Sequence, residues 1–167
     1  MKKLISFVLV LGTFISVQFA VANTIKALPT TEYSIYSATA KENNDQTIPM
    51  LSSVQQISAN QIQISYDREV DVSKGTKATN YWVQDTMNLS PKGIATLGKN
   101  ESVNASNSLR DGLVKIQQKD SSAKTFILTF NKNITKGAEY KLIICYVTVP
   151  GAPPYSGDNG MMTFVGK

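Results

Sequence analysis

The chain has 167 residues, a formal net charge of +5 to which Lys2 and Lys3 contribute two, a single cysteine and no histidine. That length suits one domain behind a leader, large enough to bury a core without a disulfide or metal staple. The missing histidine removes the commonest general base, the serine–histidine and cysteine–histidine nucleophile pairs and the usual zinc ligand. The lysines are scattered, so they form no basic patch for nucleic acid or an anionic membrane.

Residues 1–22 read as a signal peptide. Lys2 and Lys3 precede an apolar run from Leu4 to Phe19, and Ala20-Val21-Ala22 supplies the small residues of a cleavage site, so the mature chain begins at Asn23. The run is shorter than the roughly 20 residues that span a bilayer, and no later stretch is apolar enough to cross one. The expected product is secreted or extracytoplasmic, in the periplasm or at the cell surface, with no membrane span after cleavage.

Residues 23–49 form an N-terminal segment. Tyr33 to Ala38 alternates weakly, Lys41 to Thr47 is polar, and Glu32 to Ala38 is expected to dock as an added edge strand on its own domain or on a neighbouring copy. From residue 50 onward the chain is a series of short strands. Val54 to Ile57 and Gln61 to Tyr66 form a hairpin, the second with Ile62 and Ile64 on one face and glutamines on the other. Tyr81 to Val83 and Ile94 to Leu97 follow. Gly98 to Gly112 is a long polar loop of the kind that is functional or mobile. Val114 to Gln117 and Thr125 to Phe130 pair across Asp120 to Ala123, with Phe126, Leu128 and Phe130 on one face. Glu139 to Val149 is the most apolar strand, and Met161 to Val165 closes the domain. No helix exceeds a turn or two.

Lys136-Gly137 followed three residues later by Tyr140 and an apolar strand matches the start of strand F in immunoglobulin-like sandwiches, where a tyrosine hydroxyl bonds back to the backbone a few residues upstream. The expected fold is all-β, an Ig-like antiparallel β-sandwich of about seven to nine strands. Tyr140 is expected to place its ring against the core and its hydroxyl on the backbone between Asn133 and Gly137. Along this strand Leu142, Ile144 and Tyr146 should share one face, and Ile143, Cys145 and Val147 the other. Cys145 reads as a small, buried core hydrophobe.

The segments ISANQIQISYDREVD, ATNYWV, FILTFNKNITKGAEYKLIICYVTV and SGDNGMMTFVGK, in that order, resemble the Ig-like (fibronectin-III-like) modules of bacterial S-layer and other cell-surface proteins. Those modules carry an aromatic–acidic strand end, an Asn-Tyr strand, Gly-x-x-Tyr before strand F and a Gly-Asn turn before the last strand. The likeness covers roughly residues 50–167. It departs in the inverted order Asp158-Asn159-Gly160 and in the single copy present. It implies a surface module that serves in recognition or assembly.

No residue set is read as catalytic, metal-binding or cofactor-binding. Ser121-Ser122-Ala123-Lys124 satisfies S-x-x-K in a turn, whereas that motif requires a helix to bring the lysine over the serine. Asp67, Glu69 and Asp71 alternate, and a row on one strand face does not close around a cation. Sequons at Asn88, Asn100, Asn104 and Asn133 follow from the composition of the loops. Aromatic residues supply the candidate ligand or partner contacts. If Tyr81 faces the core, Trp82 faces out and is an anchor; the reverse buries Trp82 between the sheets. Tyr155, after Pro153-Pro154, is the second candidate. The expected function is an exported, non-catalytic module for protein–protein recognition or self-assembly, with a carbohydrate-binding module as the alternative. A polysaccharide is thus the second ligand class.

Overall fold

The computed structural model describes residues 48–167, so the leader and the docked strand expected at Glu32 to Ala38 lie outside the described residues. Seven strands are present among the described residues: β1 Leu51–Ser58, β2 Gln61–Tyr66, β3 Tyr81–Asp85, β4 Val114–Gln118, β5 Thr125–Phe130, β6 Glu139–Cys145 and β7 Asp158–Val165. A one-turn helix, α1 Val72–Gly75, lies between β2 and β3. The strands form two antiparallel sheets, ordered β1-β2-β5-β4 and β3-β6-β7. A seven-strand sandwich of constant-type immunoglobulin topology has the same division, first, second, fifth and fourth strands against third, sixth and seventh.

Period-two patterning builds the core. Ile62, Ile64 and Tyr66 of β2 and Phe126, Leu128 and Phe130 of β5 are buried, and the pairs Ile62↔Leu128 and Ile64↔Phe126 set the register. A one-residue slip would turn every one of them to solvent. Val114 and Ile116 extend this layer on β4, and Tyr81, Val83, Tyr140, Leu142, Ile144 and Phe164 face it from the other sheet in one continuous cluster. Each large side chain fully buried there contributes about 1.5–3 kcal/mol before entropy is counted.

The tyrosine tie occurs in this molecule, but at a different strand. Tyr140 is the second residue of β6 and is buried, with its ring 5.6 Å from Phe164, as its position in the sequence implies. Its hydroxyl, however, is buried without a hydrogen-bond partner among the described residues, so the expected bond to residues 133–137 is not made. Tyr81 makes the equivalent bond at the start of β3, donating to the carbonyl of Gly75 six residues upstream. Tyr66 completes the chain with a hydroxyl–hydroxyl contact of 2.8 Å to Tyr81. Burial lifts both phenols above the ordinary tyrosine range, which keeps the pair protonated. Gly75 is required by close approach: a Cβ there would lie 2.8 Å from Phe126 and 2.9 Å from Val70.

The end of β6 corrects the expected face assignment. Leu142 and Ile144 point into the core, but Tyr146 is 43% exposed and Val147 takes the core position instead. Strict alternation stops because Tyr146 adopts φ +67°, and the facing strand carries a bulge at Asn159-Gly160, where Gly160 has φ +98°. Asn159, fully buried, stabilises the break. Its Oδ1 accepts from Val147 N at 2.9 Å, and its Nδ2 donates to the carbonyls of Val147 and Pro49, both at 2.8 Å. This one side chain pairs with Val147 as a strand would and also holds the chain leading into β1.

Two substitutions separate the tyrosines. Tyr81→Phe should lower stability by about 1–3 kcal/mol, because the Gly75 carbonyl and the Tyr66 hydroxyl both lose a buried partner. Tyr140→Phe removes an unpartnered hydroxyl and should leave stability within about 0.5 kcal/mol of the parent or raise it. Chemical denaturation of both variants checks the ranking, and a larger loss for Tyr140→Phe would restore the tie to β6.

Candidate functional site

All five residues of β3 are buried, although only one of its faces meets the other sheet. Tyr81 and Val83 point into the core, so period two sends Trp82 and Gln84 to the outer face of the β3-β6-β7 sheet. There Trp82 joins Leu97, Ile143 and Cys145 in a second, smaller apolar cluster. The cover comes from the polar connection between β3 and β4.

Three side chains fasten that connection. Trp82 donates from Nε1 to the carbonyl of Asn104 at 2.9 Å. Gln84 reaches outward and donates from Nε2 to the carbonyls of Gly98 and Lys99, at 3.1 and 3.0 Å. Asp85 organises the first turn, with Oδ1 accepting from the N–H groups of Met87 and Asn88 at 2.9 and 2.8 Å and Oδ2 from Lys92 N at 3.2 Å. Burial alone would raise the pKa of Asp85. The N–H groups of Asn88 and Met87, the Asn88 amide and Lys92 N–H outweigh it, and the carboxyl lies below its ordinary value.

Backbone bonds complete the seal. Asp85 N donates to Leu97 O, Thr96 N to Val83 O and Leu109 N to Tyr81 O, at 2.8–2.9 Å. Ile94 to Leu97, expected as a strand, makes only an isolated parallel bridge between Gln84 and Leu97. The stretch Gly98 to Gly112 carries its own turn, capped by Asn104, whose side chain accepts from Ser106 N while Asn104 N donates to Asn107 Oδ1. The open edge of β3 is covered, which removes a template for strand addition.

Trp82 faces away from the core, as one of the two sequence readings had it, yet it is only 2% exposed. It is an outward tryptophan under a loop, because strand parity sets its face and the returning chain sets its burial. Tyr146 lies against it, ring centroids 6.2 Å apart at 70°. Sequence reasoning assigned Tyr146 to the core and missed this, since no residue pattern signals the left-handed backbone. Tyr155 is half-buried rather than exposed, and its hydroxyl donates to Asp158 O at 3.0 Å. Cys145 is a buried free thiol in the cluster beneath the loop; burial, and then the Asp158 carboxylate, push its pKa up.

The acidic row is divided among local tasks. β2 ends at Tyr66, so the row does not continue as a strand. Asp67 accepts from Met50 N and pairs with Arg68 at 2.8 Å, and the Arg68 guanidinium holds its carboxyl below the usual range. Asp71 caps α1 through Ser73 N and Lys74 N. No group of three His, Cys, Asp or Glu side chains that could hold a metal ion occurs among the described residues. Ser121 to Lys124 lies in the β4–β5 turn, held by Asp120 through Ser122 N.

Several solved structures are similar in shape. The N-terminal part of the bacterial S-layer protein SbsC aligns with a TM-score of 0.49 at 11% identity, over 74% of this chain and 24% of that one. A second SbsC crystal structure gives 0.47 at 12% identity, over 71% of this chain and 13% of that one. SbsC domains 1-6 give 0.46 at 12%, over 71% and 14%. The chain thus spans a quarter or less of these proteins, and at these values the likeness does not carry the role of SbsC to it. No family model matches the chain, and no curated protein matches it.

Because Asp85 has a lowered pKa in the fold, its contribution is fully present above the unfolded carboxylate value of about 4 and is lost as pH falls through the lower folded value. Asp85→Asn should cost about 1–3 kcal/mol near neutrality and flatten part of the acid limb of the stability–pH curve. Denaturation midpoints measured between neutral and strongly acidic pH check both effects. Cys145 should resist a bulky thiol reagent in the native protein and react on unfolding; rapid native labelling would show that the loop does not seal the face.

Proposed function

We propose that this chain is an exported, non-catalytic Ig-like module that recognises another protein, or a further copy of itself, through the outer surface of the β3-β6-β7 sheet. The observation that carries this reading is the asymmetry of that surface. Over β3 it is sealed by the 86–110 connection, whereas over β7 it is open, with Met161 and Val165 53% and 50% exposed on one strand face. Met87 and Leu89, 61% and 69% exposed, lie on the covering connection itself. Methionine and aliphatic side chains on the outward face of β7 form the apolar centre of a recognition surface, with Lys141, Thr163 and Glu139 as its polar positions.

Export is supported by the leader pattern in residues 1–22. The absence of histidine from the chain supports a role without catalysis, as does the commitment of Asp85 and Cys145 to holding and filling the loop cluster. A sugar platform built on Trp82 is disfavoured because its ring is covered. A photo-crosslinking residue at Thr163, compared with one at Gln117 on the opposite sheet, tests the surface. Crosslinks to a partner or second copy from position 163, abolished by Met161→Asp with Val165→Asp, are expected. Equal crosslinking from both positions, or none from 163, would contradict the assignment.

A further inference from the structure

We propose a saccharide-binding site where Tyr146 stands against Trp82, at the end of the sheet where β3 begins and β6 ends. It goes beyond the recognition surface above and uses neither Met161 nor Val165. A cleft of about 380 Å³ opens there, walled by Lys77, Thr79, Asn80, Ser108 and Tyr146 with Trp82 behind. A second cleft of about 520 Å³ shares Lys77 and Thr79, so the polar trough continues toward Arg110 and Asp111.

Three observations point to a ligand. Tyr146 holds φ +67°, a left-handed backbone that side chains other than glycine rarely adopt, and this turns its ring out of the core and into the cleft wall. Trp82 packs against that ring at 70° and is itself fixed by Asn104, so the phenol is a pre-positioned platform. Asn80 is only 4% exposed, and its Nδ2 is committed to Lys74 O at 3.0 Å. Its Oδ1 accepts from no described residue and is reached by solvent, so it is available as an acceptor. Ser108 is likewise buried and gives its proton to Ala105 O, which leaves its oxygen free to accept.

The ligand chemistry follows from these groups. A pyranose ring lays an apolar face on a phenol and presents hydroxyl donors around its rim, which Asn80 Oδ1 and Ser108 Oγ can accept while Thr79 exchanges bonds at the edge. Lys77 adds a cation at the mouth, so a saccharide bearing a carboxylate is preferred over a neutral one.

Calorimetric titration of the full chain with tetragalacturonate and with cellotetraose tests this. Binding is expected, tighter and salt-sensitive for the carboxylated chain. Lys77→Ala should remove that preference and its salt sensitivity without abolishing binding. Tyr146→Gly relieves the left-handed backbone while deleting the ring, so the fold should persist and affinity should fall about tenfold or more for both sugars. Tyr146→Asn, which also tolerates this backbone, provides a second ring-less variant. The proposal is overturned if neither oligosaccharide binds, if affinity is unchanged in both Tyr146 variants, or if an octaproline peptide binds the same residues more tightly than either sugar.

Discussion

In a two-sheet sandwich a strand normally gives one face to the core and the other to water. Tyr81–Asp85 is buried on both faces, and the rest of the outer layer depends on this constraint. An apolar Trp82 and an amide at Gln84 cannot both be buried without a cover that supplies carbonyl oxygens, because an unpaired buried amide would cost more than the burial returns. The 86–110 connection supplies those oxygens at Gly98, Lys99 and Asn104, and Asp85 sets the turn that sends the chain back over the sheet. Apolar contact and polar satisfaction therefore reinforce each other. The loop is part of the fold, and its far end shapes the cleft beside Tyr146.

The parity of the strands was legible in the sequence where alternation is clean. β2 and β5 have the bounds that Ile62/Ile64 and Phe126/Leu128/Phe130 imply, because period-two burial leaves no other register. The outward direction of Trp82 was legible only as one of two open readings, because Tyr81, Trp82 and Val83 are apolar on both faces. Its burial was not, since the cover is a polar stretch rich in Asn and Ser whose path is fixed by backbone carbonyls, and those are identical in every residue. The two departures from alternation were equally silent. Tyr146 has a side chain that suits a core strand, and only the Asn159-Gly160 bulge on the partner strand shows why Val147 replaces it.

The tyrosine tie shows how a motif can be right in kind and misplaced along the chain. Gly137-x-x-Tyr140 has the spacing expected at β6, yet that phenol contributes its ring alone. The hydroxyl bond to upstream backbone is made by Tyr81, which closes the α1 turn against β3 and draws Tyr66 into the same buried chain. Both tyrosines lie at the beginning of strands of the same sheet, Tyr81 first in β3 and Tyr140 second in β6. Both hydroxyls lie close to a glycine, Gly75 for Tyr81 and Gly93 for Tyr140, but only Gly75 turns its carbonyl to accept the bond.

The chain contains a single tryptophan, so intrinsic fluorescence reports on Trp82 alone. Emission spectra with acrylamide quenching test whether this outward-facing tryptophan is sealed by the loop. Blue-shifted emission and strong protection from the quencher are expected in the native protein, both lost together on substituting Gln84 with alanine. Emission typical of a water-exposed indole, with quenching as efficient in the native as in the unfolded chain, would contradict that seal.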